Sequence, residues 1–162
     1  MVEVGQPAPD FTVRTTEKQS VTLASYRGRW LVLYFYPKAF TPLCSAEAKR
    51  FRDNASELKA LGAEVLGVSH DEFDLQCSFA KANRVTFPLA ADVGGKLLTA
   101  YGVKWPLLPM AKRITFIIDP QGVVRARFHH ELQVSKHLDE VLRFLEKVQG
   151  GSTPDGTPVP AR

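Results

Sequence analysis

The chain carries two cysteines, Cys44 and Cys77. Cys44 lies in FYPKAFTPLCSAE, Phe35 to Glu47, where an apolar run stops at Pro37 and a short loop leads to Thr41-Pro42. With Thr41 as the N-cap of a helix, Pro42 takes the first helical position, where its missing N–H costs nothing. Cys44 is then the third helical residue. Free backbone N–H groups and the positive end of the helix dipole surround its sulfur and favour the thiolate. A thiolate in such a place is a nucleophile. The Thr41 hydroxyl can serve the sulfur or a bound oxygen substrate. A cysteine taken at random is more often a small inert hydrophobe. The position after a buried strand reverses that balance, because open α/β sheets hold their sites at the carboxyl ends of strands.

The elements that position Cys44 follow from pattern. Trp30 to Tyr36 is apolar throughout, as expected of a central strand covered on both faces. Pro42 to Ala60 has Ala48, Phe51, Ala55, Leu58 and Leu61 at helical spacing and is closed by Gly62. Glu64 to Ser69 reads as a second buried strand. Ser69 or Asp71 would cap a helix running to about Asn83. Phe87 to Ala90 is a short extended piece, and Lys96 to Tyr101 a short helix ended by Gly102. Arg113 to Ile118 and Val123 to Phe128 form a hairpin about the turn Asp119–Gly122. Ser135 to Val148 is a closing amphipathic helix. Val13 to Leu23 suggests an N-terminal hairpin. The segment from Gln149 onward is rich in Gly and Pro and reads as a disordered tail. The expected organisation is one domain over residues 1–148 and a tail over 149–162. Strands joined through helices imply right-handed parallel crossovers, with the late hairpin adding an antiparallel edge. The expected fold class is α/β, a mixed central sheet flanked by helices.

Composition narrows the function. The 162 residues are 44% hydrophobic and 23% charged, with a formal net charge of +4, the mix of a globular protein with room for a core. The basic residues are scattered and form no stripe, which argues against nucleic-acid binding. The first residues, MVEVGQPAPDF, show neither a basic nor an apolar signal region, and no apolar run approaches membrane-spanning length. The expectation is a soluble cytoplasmic protein that uses no membrane. Two cysteines are too few for a secreted disulfide scaffold. His70, His129, His130 and His137 lack the spacing of a metal centre. His129 and His130, at a strand end, should point to opposite faces. Gly94-Gly95-Lys96 lacks the remainder of a phosphate loop. Trp105 to Pro109 reads as a packed apolar loop.

Pro37 to Cys44, P-K-A-F-T-P-L-C, resembles the peroxiredoxin signature P-x-x-x-T-x-x-C at every fixed position. Gly5 to Phe11 is similar to the family's opening G-x-x-A-P-D-F. Phe35 to Lys38, Glu47, Gly67 to Ser69, Phe87 to Leu89 and Arg113 to Asp119 resemble the PrxQ branch, the bacterioferritin comigratory proteins. The resemblance covers all but the tail. It implies a thioredoxin-like fold with an N-terminal extension. It implies reduction of hydrogen peroxide and organic hydroperoxides without a metal or organic cofactor. By position, it makes Cys44 the peroxidatic cysteine, Thr41 the hydrogen-bonding partner of peroxide and thiolate, Pro37 a shield of the pocket, and Arg113 the cation that holds the thiolate and polarises the peroxide. On its own, Arg113 would be read as a surface arginine. Glu47 either orients that arginine or pairs on the helix surface.

Attack on a peroxide leaves a sulfenic acid, which needs a second thiol. The branch's familiar resolving position, five residues on, is Lys49 here. Cys77 lies on the helix between Glu72 and Asn83, and some members of the branch carry their partner cysteine there. The resemblance thus implies an intramolecular Cys44–Cys77 disulfide recycled by thioredoxin or a similar dithiol protein, with local unwinding of both helices. The alternative is that Cys77 is core, on a face with Phe73 and Ala80, and that the enzyme works with one cysteine. The branch is commonly monomeric, and an intramolecular disulfide needs no partner subunit. Two other classes compete. A protein thiol–disulfide oxidoreductase is disfavoured by the absence of C-x-x-C. A redox-sensing or binding module on the same fold is disfavoured by the intact set of Pro37, Thr41, Cys44 and Arg113.

Overall fold

A computed structural model describes residues 1–17 and 19–149. The expected disordered tail therefore lies outside the described residues, apart from Gln149, which closes the last helix. The strands are β1 (Thr12–Arg14), β2 (Ser20–Thr22), β3 (Trp30–Phe35), β4 (Ala63–Ser69), β5 (Leu89–Ala91), β6 (Ile114–Ile118) and β7 (Val124–His129). The helices are α1 (Pro42–Asp53), α2 (Ala55–Ala60), α3 (Phe73–Ala82), α4 (Lys96–Tyr101) and α5 (Ser135–Gln149). The main sheet has the order β5-β4-β3-β6-β7. β3 pairs parallel with β4 and antiparallel with β6, so it is central and loses no backbone hydrogen bond to water. β4 and β5 are parallel, and β6 and β7 antiparallel. β1 and β2 make a separate antiparallel ribbon, the expected N-terminal hairpin.

β3 shows why its residues are apolar without alternation. Trp30, Val32, Tyr34 and Tyr36 face one layer, with Phe51, Phe79, Leu138 and Val141. Leu31, Leu33 and Phe35 face the other, with Leu97, Tyr101 and the ribbon residue Val13. Both faces are buried, as period two through a covered sheet requires. Gly67 marks a close approach within the sheet: a Cβ there would lie 2.7 Å from the Leu89 side chain and 2.8 Å from the Tyr34 ring. Cys44 belongs to the first layer and is buried among it.

Four local expectations are corrected. The helix expected over Pro42–Ala60 breaks at Asn54, whose side-chain amide donates to Arg50 O at 2.8 Å and competes with the helical backbone. The helix bearing Cys77 is capped by neither Ser69 nor Asp71. Its N-cap is Glu72, and Asp71 Oδ2 instead accepts from Ala39 N at 2.7 Å and Ser69 Oγ at 2.7 Å. The third extended piece starts at Leu89, because Pro88 cannot donate to the ladder. Trp105–Pro109 is not packed throughout: Trp105 is half-buried beneath Lys112, whereas Leu107 and Leu108 are exposed. Among the described residues no helix is long and apolar enough to cross a membrane.

Candidate active site

The loop Pro37–Thr41 leaves the carboxyl end of β3 and turns into α1. Phe40 adopts φ 64°, a left-handed conformation uncommon for a bulky side chain, and its ring packs edge-on against Phe79 of α3 at 5.4 Å. Ala39 N is tied to Asp71, so the loop is pinned to the segment entering α3. Thr41 is the N-cap and Pro42 the first helical residue, as the sequence indicates. The Thr41 side chain makes no capping bond. Its hydroxyl donates to Lys38 O at 2.8 Å rather than to the sulfur. Pro37 is half-buried beside the loop.

Cys44 is 1% exposed, in the first turn of α1. Arg113, just before β6, is 3% exposed and not at the surface. Its Nη1 lies 3.5 Å from Cys44 Sγ and donates to Glu47 Oε1 at 2.9 Å. Its Nε donates to Glu131 O at 2.9 Å, and its backbone N–H to Glu131 Oε2 at 2.9 Å. The guanidinium is held at both ends and aimed at the sulfur. Burial favours its neutral form, but the adjacent Glu47 and Cys44 outweigh this and raise its pKa. Glu47, one helical turn from Cys44, is 1% exposed and buried in an ion pair, which decides between the two readings of that residue. Burial pushes its carboxyl up to about 8, although Arg113 pulls the other way.

Behind this pair lies a buried histidine. His137 of α5 is 0% exposed, with Nδ1 2.8 Å from Thr115 Oγ1 and Nε2 2.8 Å from His130 O. Nε2 is 3.9 Å from Glu47 Oε2. Burial drives the imidazole down to about 4, so it is neutral at neutral pH. His129 and His130 find different partners, Glu131 and Glu140, in keeping with their alternation. Glu131 and His137 carry no motif that would single them out in sequence. Their positions follow only from how β7 and α5 return to the sheet.

Cys77 lies on α3 and is half-buried; both cysteines are free thiols. The buried stripe of α3 is Gln76 and Phe79, not Phe73, Cys77 and Ala80. Gln76 spans the layer, its Oε1 accepting from Tyr36 Oη and its Nε2 donating to Ala90 O at 2.7 Å. The core reading of Cys77 thus loses its basis in the helix pattern.

Residues 4–127 match the AhpC/TSA family. Peroxiredoxin Q of Arabidopsis thaliana, a chloroplastic protein, is 38% identical over 146 residues, covering 90% of this chain and 68% of its own length. Chloroplastic peroxiredoxin Q of Sedum lineare is 36% identical, over 91% of this chain and 80% of its own. Among solved structures, Mycobacterium tuberculosis peroxidoxin BcpB superposes with a TM-score of 0.85 at 32% identity, covering 91% of this chain and 99% of that one. The Xanthomonas campestris bacterioferritin comigratory protein, whose structures address alkyl peroxide reduction, superposes at 0.79 with 30% identity, over 85% and 90% of the two chains. The likenesses agree with the fold and with the buried thiol that faces an arginine here, and the chain belongs to the AhpC/TSA family of thiol-dependent peroxidases, in its peroxiredoxin Q branch.

Proposed function

We propose that Cys44 is the peroxidatic thiol and Cys77 its resolving partner, in a cycle that uses thiols alone. The observation that carries the first assignment is the buried guanidinium of Arg113, 3.5 Å from Sγ and anchored on its far side by Glu131. In the first step the Cys44 thiolate attacks the terminal oxygen of a hydroperoxide. An S–O bond forms, the O–O bond breaks, and the departing oxygen takes up a proton and leaves as water or an alcohol. Arg113 stabilises negative charge on the sulfur and on the oxygen that leaves. The hydrogen of the Thr41 hydroxyl is committed to Lys38 O, so its oxygen serves as acceptor for the peroxide O–H. Pro37 shields the sulfur from bulk water.

In the second step the Cys77 sulfur attacks the Cys44 sulfenic acid, forming a disulfide and releasing water. A disulfide needs Cα atoms within about 7 Å. The first turn of α1 and part of α3 therefore unwind. Thioredoxin or a similar dithiol protein then reduces the disulfide and is itself oxidised. The half-buried position of Cys77, beside rather than on the buried stripe of α3, supports this role. In this reading the protein acts as a monomer in the cytoplasm, on peroxides, with no nucleic acid or membrane involved.

The test is intact mass after one equivalent of hydrogen peroxide, without reductant, for the wild type and Cys77→Ser. The expected result is loss of two hydrogens by the wild type and gain of oxygen by the variant. A wild type that itself gains oxygen and forms no disulfide makes the enzyme one-cysteine. No reaction by either protein within seconds removes Cys44 as a peroxidatic thiol.

A further inference from the structure

The pair of Arg113 and Glu47 has a third, unassigned neighbour. Glu47 presents Oε1 to Arg113, but its buried Oε2 has no hydrogen-bond partner among the described residues. His137 Nε2 stands 3.9 Å from it. That nitrogen is already committed. The His130 carbonyl can only accept, so Nε2 carries the hydrogen and donates it there, leaving Nδ1 to accept from the Thr115 hydroxyl. The ring is locked in one tautomer by strand β6 on one side and the end of β7 on the other, and stands beside Glu47 Oε2 without giving it a donor. A carboxylate oxygen buried without a donor disfavours ionisation. Each proton gained or lost by Glu47 changes how much of the Arg113 charge is cancelled locally, 3.5 Å from the reacting sulfur.

We infer that His137 is a positioning residue for peroxide reduction: its ring, locked between Thr115 and the His130 carbonyl, sets the charge state of Glu47 and thereby the share of the Arg113 charge that reaches Cys44. Burial acts in the direction this geometry implies, raising the Glu47 carboxyl and lowering the His137 imidazole. The charged and titratable groups that bear on His137 are Glu47 from α1, Arg113 ahead of β6, His130 after β7, and Glu140 on α5 itself. Glu140 is held by His130 at 2.9 Å. The inference rests on Cys44 being the reacting thiol, and its test separates the two.

The experiment measures the rate at which hydrogen peroxide consumes the Cys44 thiol across pH, by alkylation quench and intact mass. The proteins are the wild type, His137→Gln, His137→Asn, Glu47→Gln and the two double variants. Glutamine has two amide hydrogens, one for His130 O and one for Glu47 Oε2, and so favours the ionised carboxylate. Asparagine keeps the Thr115 side and withdraws the ring from Oε2, which also opens it to a donor. Both single variants are expected to slow oxidation about tenfold near neutral pH and to move the pH–rate profile, equivalent to about 1.4 kcal/mol. In the Glu47→Gln background the same changes are expected to alter the rate less than twofold. His137 variants that lose thermal stability but keep the wild-type rate and profile overturn the inference, as does an effect of full size without Glu47. A wild type inert to peroxide overturns the assignment of Cys44 as well; a reactive wild type with indifferent variants overturns only the role of His137.

Discussion

Arg113→Met is the substitution that bears most directly on the site. It removes a unit charge 3.5 Å from Cys44 Sγ in a place that is 3% exposed. With an effective dielectric of about 20, a full charge at that separation is worth about 5 kcal/mol to an anion on the sulfur. The guanidinium charge is spread over the group, and the Glu47 carboxyl 2.9 Å away offsets part of it when ionised. Retaining about half leaves about 2 to 3 kcal/mol, or a rate lower by roughly 30- to 150-fold. The assay is rapid-quench oxidation by hydrogen peroxide under pseudo-first-order conditions, with circular dichroism to confirm the fold. Removing one member of a buried pair also costs stability, so Arg113→Met/Glu47→Gln is the companion variant and should lose a similar factor in rate while folding better. Arg113→Lys should fall between, because a point charge cannot keep the Glu131 anchor and the sulfur contact together. A loss of less than threefold in Arg113→Met would refute the electrostatic account of the site.

Two further outcomes follow from the same geometry. Glu47 is shifted upward on folding, from 4.5 to about 8, so the native state holds its proton where the unfolded chain releases it. Its contribution is fully present below about pH 4.5 and is lost as pH rises to about 8. Urea unfolding across that window should show Glu47→Gln with a flatter profile than the wild type, and parallel profiles would contradict it. Gln76→Ala removes bonds to Tyr36 Oη and Ala90 O and should lower stability by about 2 to 3 kcal/mol. It should also accelerate Cys44–Cys77 disulfide formation, since those bonds fasten α3 to the layer it must leave; time-resolved mass after peroxide reads this, and slower closure would count against unwinding of α3.

The centre of the site is legible in a dozen residues because its determinants are local. A threonine, a proline and a cysteine at fixed offsets fix where a helix begins and which side chain sits in its first turn, and the structure starts α1 at Pro42 accordingly. The covered strand β3 is legible for a similar reason: six successive apolar residues suit a strand buried on both faces. Even the break at Asn54 is a local effect, lost only because hydrophobic spacing carries across it.

What surrounds the sulfur is a different matter. Glu47 sits between Cys44 and Ala48 on α1, and its type suits a solvated helix face. It is buried because Arg113, 66 residues later, arrives just ahead of β6 to meet it. Arg113 is itself aimed by Glu131 and backed by His137, which come from the chain after β7 and from α5. Cys77 could not be placed from its helix, where its own face with Phe73 and Ala80 competes with the stripe of Leu75 and Phe79; the sheet chose the Gln76 and Phe79 side and left the thiol half-buried. Helix caps and strand patterns arise from interactions between near neighbours and are therefore written along the chain. The burial of a charge is settled by whether a partner from elsewhere satisfies it, and only the assembled sheet brings those partners together.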